Sequence, residues 1–184
     1  MTELNATPSV DEIRERFKSG DLHDLSDATI AAIREGGGFG WINVPAADVL
    51  ERYWKGVLVV PDRRLFVARL DGVICGSAQI IRPPKNNEAQ AHSGQLTTTF
   101  IAPWARGHGL SRLLTLTVLR AAKASGLKVI NLDVRETQEA AIALYRSLGF
   151  LEFGRHPFYA LVNGQRVAGL YFTRDLETLD EVGA

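Results

Sequence analysis

The stretch FIAPWARGHGLSRLL, residues 100–114, decides the fold of this chain. It begins with the apolar residues of a strand end, passes through a glycine-rich turn at 107–109, and enters a helical pattern at Leu110. Glycines let a ligand approach the main chain, and the first turn of a helix offers unpaired N–H groups and a partial positive charge. Arg106 and Arg112 add forked donors that suit phosphate oxygens. The stretch therefore predicts an anion-binding turn, although a pair of glycines alone is most often an ordinary turn.

A second block, AIALYRSLGF at residues 141–150, makes the first one specific. Together they resemble the GCN5-related N-acetyltransferase (GNAT) family. RGHGLS at 106–111 stands where the Arg/Gln-x-x-Gly-x-Gly/Ala pyrophosphate loop of that family would be, and 141–150 matches Ala-x-x-Leu-Tyr-x-x-x-Gly-Phe. Ser111 replaces the small final residue of the first motif, and Gln138 occupies a place where Asn is common. The resemblance covers about residues 20–175.

The C-terminal portion is similar to a narrower branch of the family, the one that includes the tabtoxin-resistance acetyltransferases. The similarity lies in Leu132 and Asp133 before the second block and in GLYF at 169–172. Acceptors are diverse in this family, so the branch does not name a substrate.

Apolar periodicity and turn residues predict the order of helices and strands. Predicted helices cover about 10–18, 26–35, 45–55, 110–125 and 138–148, and predicted strands cover about 65–70, 73–80, 95–101, 128–134, 150–155, 159–162 and 167–173. The first helix depends on Ser9 and Glu12, which have capping-box spacing. This order predicts an α/β (α+β) fold with a mixed sheet and helices on both faces. The resemblance implies a mostly antiparallel, GNAT-like sheet.

Composition and charge are those of an ordinary folded protein. The chain has 184 residues, 46% hydrophobic, with 21 basic and 21 acidic side chains. We expect a single acetyltransferase domain over 1–184, with a core at about 20–175 and a flexible tail at about 177–184. Zero net charge argues against non-specific nucleic-acid binding. Residues 89–132 contain no Asp or Glu, which suits a small anionic ligand, although chance compensation by the acidic N-terminal third explains it equally well.

Cysteine and histidine content argues against disulfides and metal sites. Cys75 is the single cysteine, and the four histidines show no zinc-ligand spacing, so no metal is predicted. The first 30 residues lack the apolar stretch of a signal peptide, and no run approaches the ~18 apolar residues of a membrane span. These features predict a cytoplasmic protein that does not bind membranes.

The resemblance implies acetyl-CoA as cosubstrate and assigns residues to it. It places the pantetheine arm against the backbone of a strand, the pyrophosphate at the turn, and a further contact at the second block. These residues are Thr99, Phe100, Ile101, Arg106, Gly107, His108, Gly109, Leu110, Ser111, Arg112 and Gln138. Their alternative roles are an ordinary strand and a structural turn.

Tyr145 is the predicted general acid. It follows Gln138 by seven residues, about two helical turns, so both lie on one stripe of a helix. A thiol has a pKa of about 8.5, so an acid assists the departing CoA thiolate without being indispensable. The alternative is a core tyrosine beside Leu144 and Leu148.

Asp133 is the first candidate for the general base that deprotonates the acceptor amine. It faces away from the apolar row of its predicted strand, at the cofactor end. A structural ion pair with Arg135, two residues along on the same face, explains it equally well. His92 is the second candidate for the base. The alternative is that His92 is a solvent-exposed side chain with no catalytic role. Phe39, Trp41 and the segment 156–159 line either a mobile acceptor lid or the core.

The sequence thus predicts an acetyl-CoA-dependent N-acetyltransferase. The acetyl group would pass directly to an amine of a small molecule or a peptide N-terminus, without a covalent enzyme intermediate. A non-catalytic acyl-CoA-binding or sensing module is the alternative, against which the presence of Tyr145 speaks. Cys75 is predicted to be a small buried hydrophobe. The sequence leaves open the acceptor, the acyl-chain preference and whether the chain forms a homodimer.

Overall fold

The computed structural model describes residues 6–37 and 39–179, and all of its strands belong to one seven-stranded sheet. The strands are β1 (Pro8–Ile13), β2 (Arg63–Leu70), β3 (Val73–Ile81), β4 (Ser93–Ile101), β5 (Val129–Arg135), β6 (Leu151–Val162) and β7 (Gln165–Asp175). Their spatial order is β1-β2-β3-β4-β5-β7-β6. Every neighbouring pair is antiparallel except β4–β5, which is parallel. The predicted mixed, mostly antiparallel sheet is confirmed.

Four helices cover the two faces of this sheet, as predicted. They are α1 (Asp21–Arg34), α2 (Ala47–Val59), α3 (Leu110–Ala124) and α4 (Glu139–Ser147). The first two helices pack on one face around the fully buried Trp54, whose indole donates to the Thr29 hydroxyl (3.2 Å). The last two pack on the other face, around Leu114, Leu119 and Leu148. None of the described helices is long and apolar enough to span a membrane.

The helix predicted over about 10–18 is wrong, because part of this segment forms β1. Val10 pairs with Ala68 of β2, and Glu12 forms an ion pair with Arg64 (2.8 Å). A helix cap stabilises a helix by only about 1 kcal/mol. A six-residue ladder with cross-strand ion pairs outweighs it, because strand pairing and burial decide such segments more than local propensity does.

The C-terminal hairpin differs from the prediction in one detail. The two short strands predicted over about 150–155 and 159–162 are one edge strand, β6, which contains Pro157. Proline is tolerated there because an edge strand has one unpaired side. The register with β7 shifts between His156 and Ala160, so residues 157–159 bulge from the ladder.

The folded core continues past the end of the sheet. Leu176 and Leu179 are buried, within the part of the chain where the tail was expected to begin. Residues 180–184 of the predicted tail lie outside the described residues.

The parallel pair β4–β5 is joined over a short distance only. Its register covers Ser93 with Val129, Gly94 with Ile130, and Gln95 with Asn131. Beyond these pairs, β4 continues to Ile101 and β5 to Arg135 as separate strands.

A bulge in β4 lies within this separated part. Thr98 has a φ of 49° at the place where the register with β3 shifts. A threonine in the left-handed region is strained by about 1–3 kcal/mol, and such strain concentrates at functional sites. The sheet therefore opens as a wedge toward the C-terminal ends of β4 and β5.

The buried Cys75 thiol supplies a test of the core. Burial raises the pKa of this thiol to about 11, so its reactive thiolate is scarce at neutral pH. We expect a thiol reagent such as DTNB to modify the native protein at ~pH 8 at least about 100-fold more slowly than the protein in guanidinium chloride. Equal rates in the two conditions would show that Cys75 is accessible.

Candidate functional site: a wedge between β4 and β5

Two cavities occupy the open wedge and meet at a common wall. The larger cavity, of about 790 Å³, extends over the turn before α3 and the start of α4. The smaller cavity, of about 390 Å³, extends toward β5, β6 and the segment between α1 and α2. The residues that line both cavities are Gly37, Thr99, Gln138, Ala141 and Tyr145. The two cavities are therefore neighbours along one wall.

The glycine-rich turn, for which the sequence predicts anion binding, lines the larger cavity. Gly107 and Gly109 have φ values of 84° and 71°, a conformation that favours glycine. Gly109 is the N-cap of α3, so the first N–H groups of this 15-residue helix face the cavity beside Leu110 and Ser111. A Cβ at either glycine would meet no atom within 4 Å. The turn thus combines open space, unpaired donors and a helix dipole, which are the features that favour a bound anion.

The two arginines flanking the turn already have partners. Arg106 forms an ion pair with Glu35 at the end of α1 (2.8 Å), and Arg112 donates to the Ser147 hydroxyl of α4 (3.3 Å). Both line the larger cavity. A bound phosphate would exchange these contacts for contacts to its own oxygens. His108 differs from its neighbours, because its Nδ1 lies 3.3 Å from the Ala105 carbonyl and its side chain does not line the cavity.

The strand predicted to hold the pantetheine arm is open at the required edge. Thr99, Phe100 and Ile101 line the larger cavity, at positions where β4 has separated from β5. The Phe100 side chain is buried and stacks on Phe39, with ring centroids 4.9 Å apart. Side chains can therefore pack in the core while the main chain faces the cavity.

Gln138 belongs to the wall that the two cavities share. It is the N-cap residue of α4, and its Nε2 donates to the Gly36 carbonyl (3.0 Å). This contact links α4 to the segment that follows α1. The side chain is therefore already engaged at the place where the resemblance assigns a cofactor contact.

Tyr145 combines features of both of its predicted roles. It is 6% exposed and packs edge-on against Phe150 with ring centroids 5.5 Å apart, as a core residue would. It also lines both cavities. Burial is the main reason that the pKa of its phenol is raised to about 12. The hydrogen bond to the Thr99 side chain lowers this pKa, and the negative charge of Asp133 raises it further. The hydroxyl therefore keeps its proton throughout the neutral range.

Asp133 lies in the smaller cavity and is held from two sides. Gln95 Nε2 donates to one carboxylate oxygen (2.8 Å), and the Tyr159 hydroxyl donates to the other. Burial and this hydrogen bond raise the pKa of Tyr159, so the phenol stays the donor. Arg135, the alternative partner expected for Asp133, instead donates to the Phe39 carbonyl (3.1 Å).

The structure does not bring His92 to this group. It is exposed just before β4 begins, and its carbonyl accepts from the backbone N–H of Lys128. From Ser93 to Ile101 the strand spans roughly 26 Å, so the imidazole lies at the far end from the turn. It lines neither cavity.

Sequence reasoning missed Gln95 and gave Tyr159 no definite role. Gln95 reaches Asp133 only because of the parallel register between β4 and β5. A signal for Tyr159 was available in Gly169, because a glycine inside a strand often marks a close approach. A Cβ at Gly169 would lie 2.2 Å from the Tyr159 ring.

The two aromatic residues predicted for a lid or a core cap are placed differently. Phe39 lines the smaller cavity, whereas the ring of Trp41 stands edge-on to Tyr53 with centroids 6.1 Å apart. In the parts of the chain that the structure describes, no group of His, Cys, Asp or Glu is arranged to hold a metal ion. That no metal is needed remains a prediction.

Comparisons with known proteins agree on one family. The model of the Acetyltransferase (GNAT) family matches residues 28–150. An Azospirillum brasilense protein, "Uncharacterized N-acetyltransferase in hisH-hisA intergenic region", is 66% identical over 122 residues, which cover 66% of this chain and 73% of that protein. The IAA acetyltransferase of the same organism is 33% identical over 97 residues, covering 53% of this chain and 60% of that protein.

Solved structures show the same fold. An N-acetyltransferase from Staphylococcus aureus Mu50 has a TM-score of 0.78 at 18% identity, covering 92% of this chain and 99% of that chain. The protein yncA from Salmonella typhimurium, solved with its cofactor acetyl-CoA, has a TM-score of 0.75 at 16% identity. The match covers 92% of this chain and 94% of that chain. The predicted GNAT-like fold is confirmed. The narrower similarity to the tabtoxin-resistance branch remains a prediction.

A pair of matched glycine variants tests the anion turn. Gly109 and Gly20 are both helix N-caps with positive φ, and a Cβ at either would meet no atom within 4 Å. Alanine should cost about 1–2 kcal/mol of unfolding free energy at either site, because its Cβ is strained there. Only Gly109→Ala should weaken CoA binding measured by calorimetry, by roughly tenfold or more, because only its Cβ enters the larger cavity. Equal affinities for the two variants would contradict the assignment.

Proposed function

The chain belongs to the GNAT family of acetyltransferases, and on that premise we propose that it transfers an acetyl group directly from acetyl-CoA to an amine of a small molecule or a peptide N-terminus. The observation that carries this proposal is the wall shared by the two cavities. Tyr145 and Thr99 belong to both, so a thioester in the larger cavity and an amine in the smaller one would meet beside the same hydroxyl groups. Bringing two reactants together in this way removes most of the entropic cost of their encounter.

The larger cavity fits the parts of a CoA molecule. Its turn offers open space at Gly107 and Gly109 and the N-terminus of α3, which suit a pyrophosphate. Arg106 and Arg112 supply charge-assisted donors once they leave Glu35 and Ser147. The open edge of β4 offers backbone groups to the amides of the pantetheine arm. Acetyl-CoA, when bound, supplies the activated acetyl group and a thiolate leaving group.

Tyr145 acts on the sulfur of the leaving group. Its phenol, with a pKa near 12, holds its proton more strongly than a thiol with a reference pKa of about 8.5. Complete proton transfer to the thiolate is therefore unfavourable. The contribution of Tyr145 is a hydrogen bond that strengthens as negative charge develops on sulfur.

Asp133 acts on the amine. It lies in the smaller cavity, and the Tyr159 hydroxyl and Gln95 amide hold its carboxylate in place. Each oxygen keeps a lone pair for an ammonium proton, taken directly or through a water. His92 has no comparable position. Asp133 is therefore the base that we propose.

Removing the Tyr145 hydroxyl should affect turnover more than folding. Tyr145→Phe keeps the ring and its contact with Phe150, so kcat should fall by about 100-fold or less while CoA affinity and Tm stay near wild type. Tyr53→Phe is the matched control, because its hydroxyl accepts from Gln79 and lines neither cavity. Thiol release from acetyl-CoA across an amine library supplies the assay. A loss of Tm without loss of turnover would make Tyr145 a core residue only.

Replacing Asp133 should change the pH profile of the reaction. With any amine that the library identifies, Asp133→Asn should depress kcat/KM most at neutral pH and recover as the pH approaches the pKa of the amine, where free amine needs no base. His92→Ala, outside the wedge, should leave the profile unchanged. A neutral-pH defect in His92→Ala beside a wild-type profile for Asp133→Asn would reverse the assignment.

A further inference from the structure

Arg135 carries a buried guanidinium group, for which the structure shows no acidic partner within the described residues. It is 7% exposed, and its hydrogen bond goes from Nη2 to the Phe39 carbonyl (3.1 Å). It forms no ion pair with any carboxylate among residues 6–37 and 39–179. A buried charge of this kind is costly unless it is paired or fully hydrogen-bonded.

Arg174 is also deeply buried, and its donors are satisfied within the fold. Arg174 is 5% exposed, and its Nε, Nη1 and Nη2 donate to the carbonyls of Leu148, Asp175 and Thr178 and to the Thr178 hydroxyl. Arg174 thus uses all three of its nitrogens within the fold. Arg135 instead lines the smaller cavity. Its remaining donors are available to a molecule bound there.

The negative charge nearest to Arg135 along β5 is held apart from it. Asp133 is two residues away on the same face, roughly 6.6 Å along the strand. Its two oxygens are occupied by Gln95 and Tyr159. The Tyr159 ring is seated directly on Gly169 of β7, where a Cβ would overlap it at 2.2 Å. Asp133 and Arg135 thus stand side by side in one small cavity without forming an ion pair with each other.

This arrangement is complementary to a zwitterion. We propose that the acceptor is a free amino acid, whose carboxylate binds Arg135 and whose amine lies toward Asp133. The proposal rests on the proposed acetyltransferase function and narrows its acceptor. A bidentate carboxylate on the guanidinium would supply the missing counter-charge.

Other acceptors fit the cavity less well. A polyamine has no anion for Arg135, and a peptide N-terminus carries an amide where a free amino acid carries its carboxylate. The cavity also has apolar walls at Phe39, Ile42, Leu96 and Leu161, which suit an apolar side chain on the amino acid. Its volume of about 390 Å³ is that of a site for a small molecule.

The test compares L-amino acids with their C-terminal amides in the wild-type chain. Each pair has the same amine and side chain, and only the acid has the carboxylate. With acetyl-CoA and thiol release as the readout, the preferred amino acid should be used with a kcat/KM roughly 10- to 100-fold above that of its amide, the value of a charge-assisted hydrogen bond. An amide used as well as the acid overturns the amino-acid proposal and leaves the acetyltransferase function standing. No thiol release with any amine overturns both.

Variants of Arg135 locate the effect. Arg135→Gln should raise KM for the amino acid roughly 10- to 100-fold, leave the rate with the amide unchanged, and keep wild-type affinity for CoA. Arg135→Lys should have a KM for the amino acid between those of the wild type and Arg135→Gln. Arg155→Gln is the control, because Arg155 is an exposed arginine paired with Glu136 outside both cavities. Equal loss with acid and amide would make Arg135 a structural residue. If Arg135→Gln does not fold, the comparison of acid and amide in the wild type decides the question.

Discussion

The architecture depends on a parallel strand pair that is hydrogen-bonded over only three residues on each side. Beyond Gln95 and Asn131 the register ends, and the sheet opens into the wedge that holds both cavities. The bulge at Thr98 contributes to this opening at the expense of a strained backbone. Backbone groups on an open interior edge need partners. The Ser77 hydroxyl supplies one to the Thr98 carbonyl (2.9 Å), and groups without a protein partner are open to water or a ligand. The missing sheet bonds are thus the reason that a binding site exists.

Three charged groups in the wedge, Arg106, Arg112 and Asp133, have polar partners within the fold, and these partners differ in charge. Arg106 is held by Glu35 and Arg112 by Ser147, whereas Asp133 is held by two neutral donors. The Arg106–Glu35 ion pair is exposed and adds little to the stability of the fold, but it has to be broken on binding. Neutral donors leave the charge of the carboxylate uncompensated. The pyrophosphate end of the wedge is therefore expected to adjust on binding, and the amine end is preorganised.

Local signals in the sequence predicted most of the fold and half of the site. The turn at 107–109 is predictable from its glycines, and the helix face that carries Tyr145 is predictable from helical spacing. Both signals lie within a few residues of the feature that they predict. The strand β1 escaped prediction because its partner, β2, lies more than fifty residues away. The contacts of Asp133 depend on the register of β4 with β5 and on the bulge in β6. The register has no local sequence signature, and neither has the burial of Arg135. For Tyr159 the local signal was Gly169, which marks a close approach within β7.

The contact between Tyr159 and Gly169 makes the residue tolerated at either position depend on the residue at the other. Because a Cβ at 169 overlaps the ring at 159, a larger residue at one position requires a smaller one at the other. Across relatives of this chain, the identities at the two positions should therefore covary. A change in the shape of the pocket would then require replacements at both 159 and 169. A replacement at only one of the two positions would lose the original packing. A mutant library that varies one position at a time would miss the pocket shapes that require both replacements.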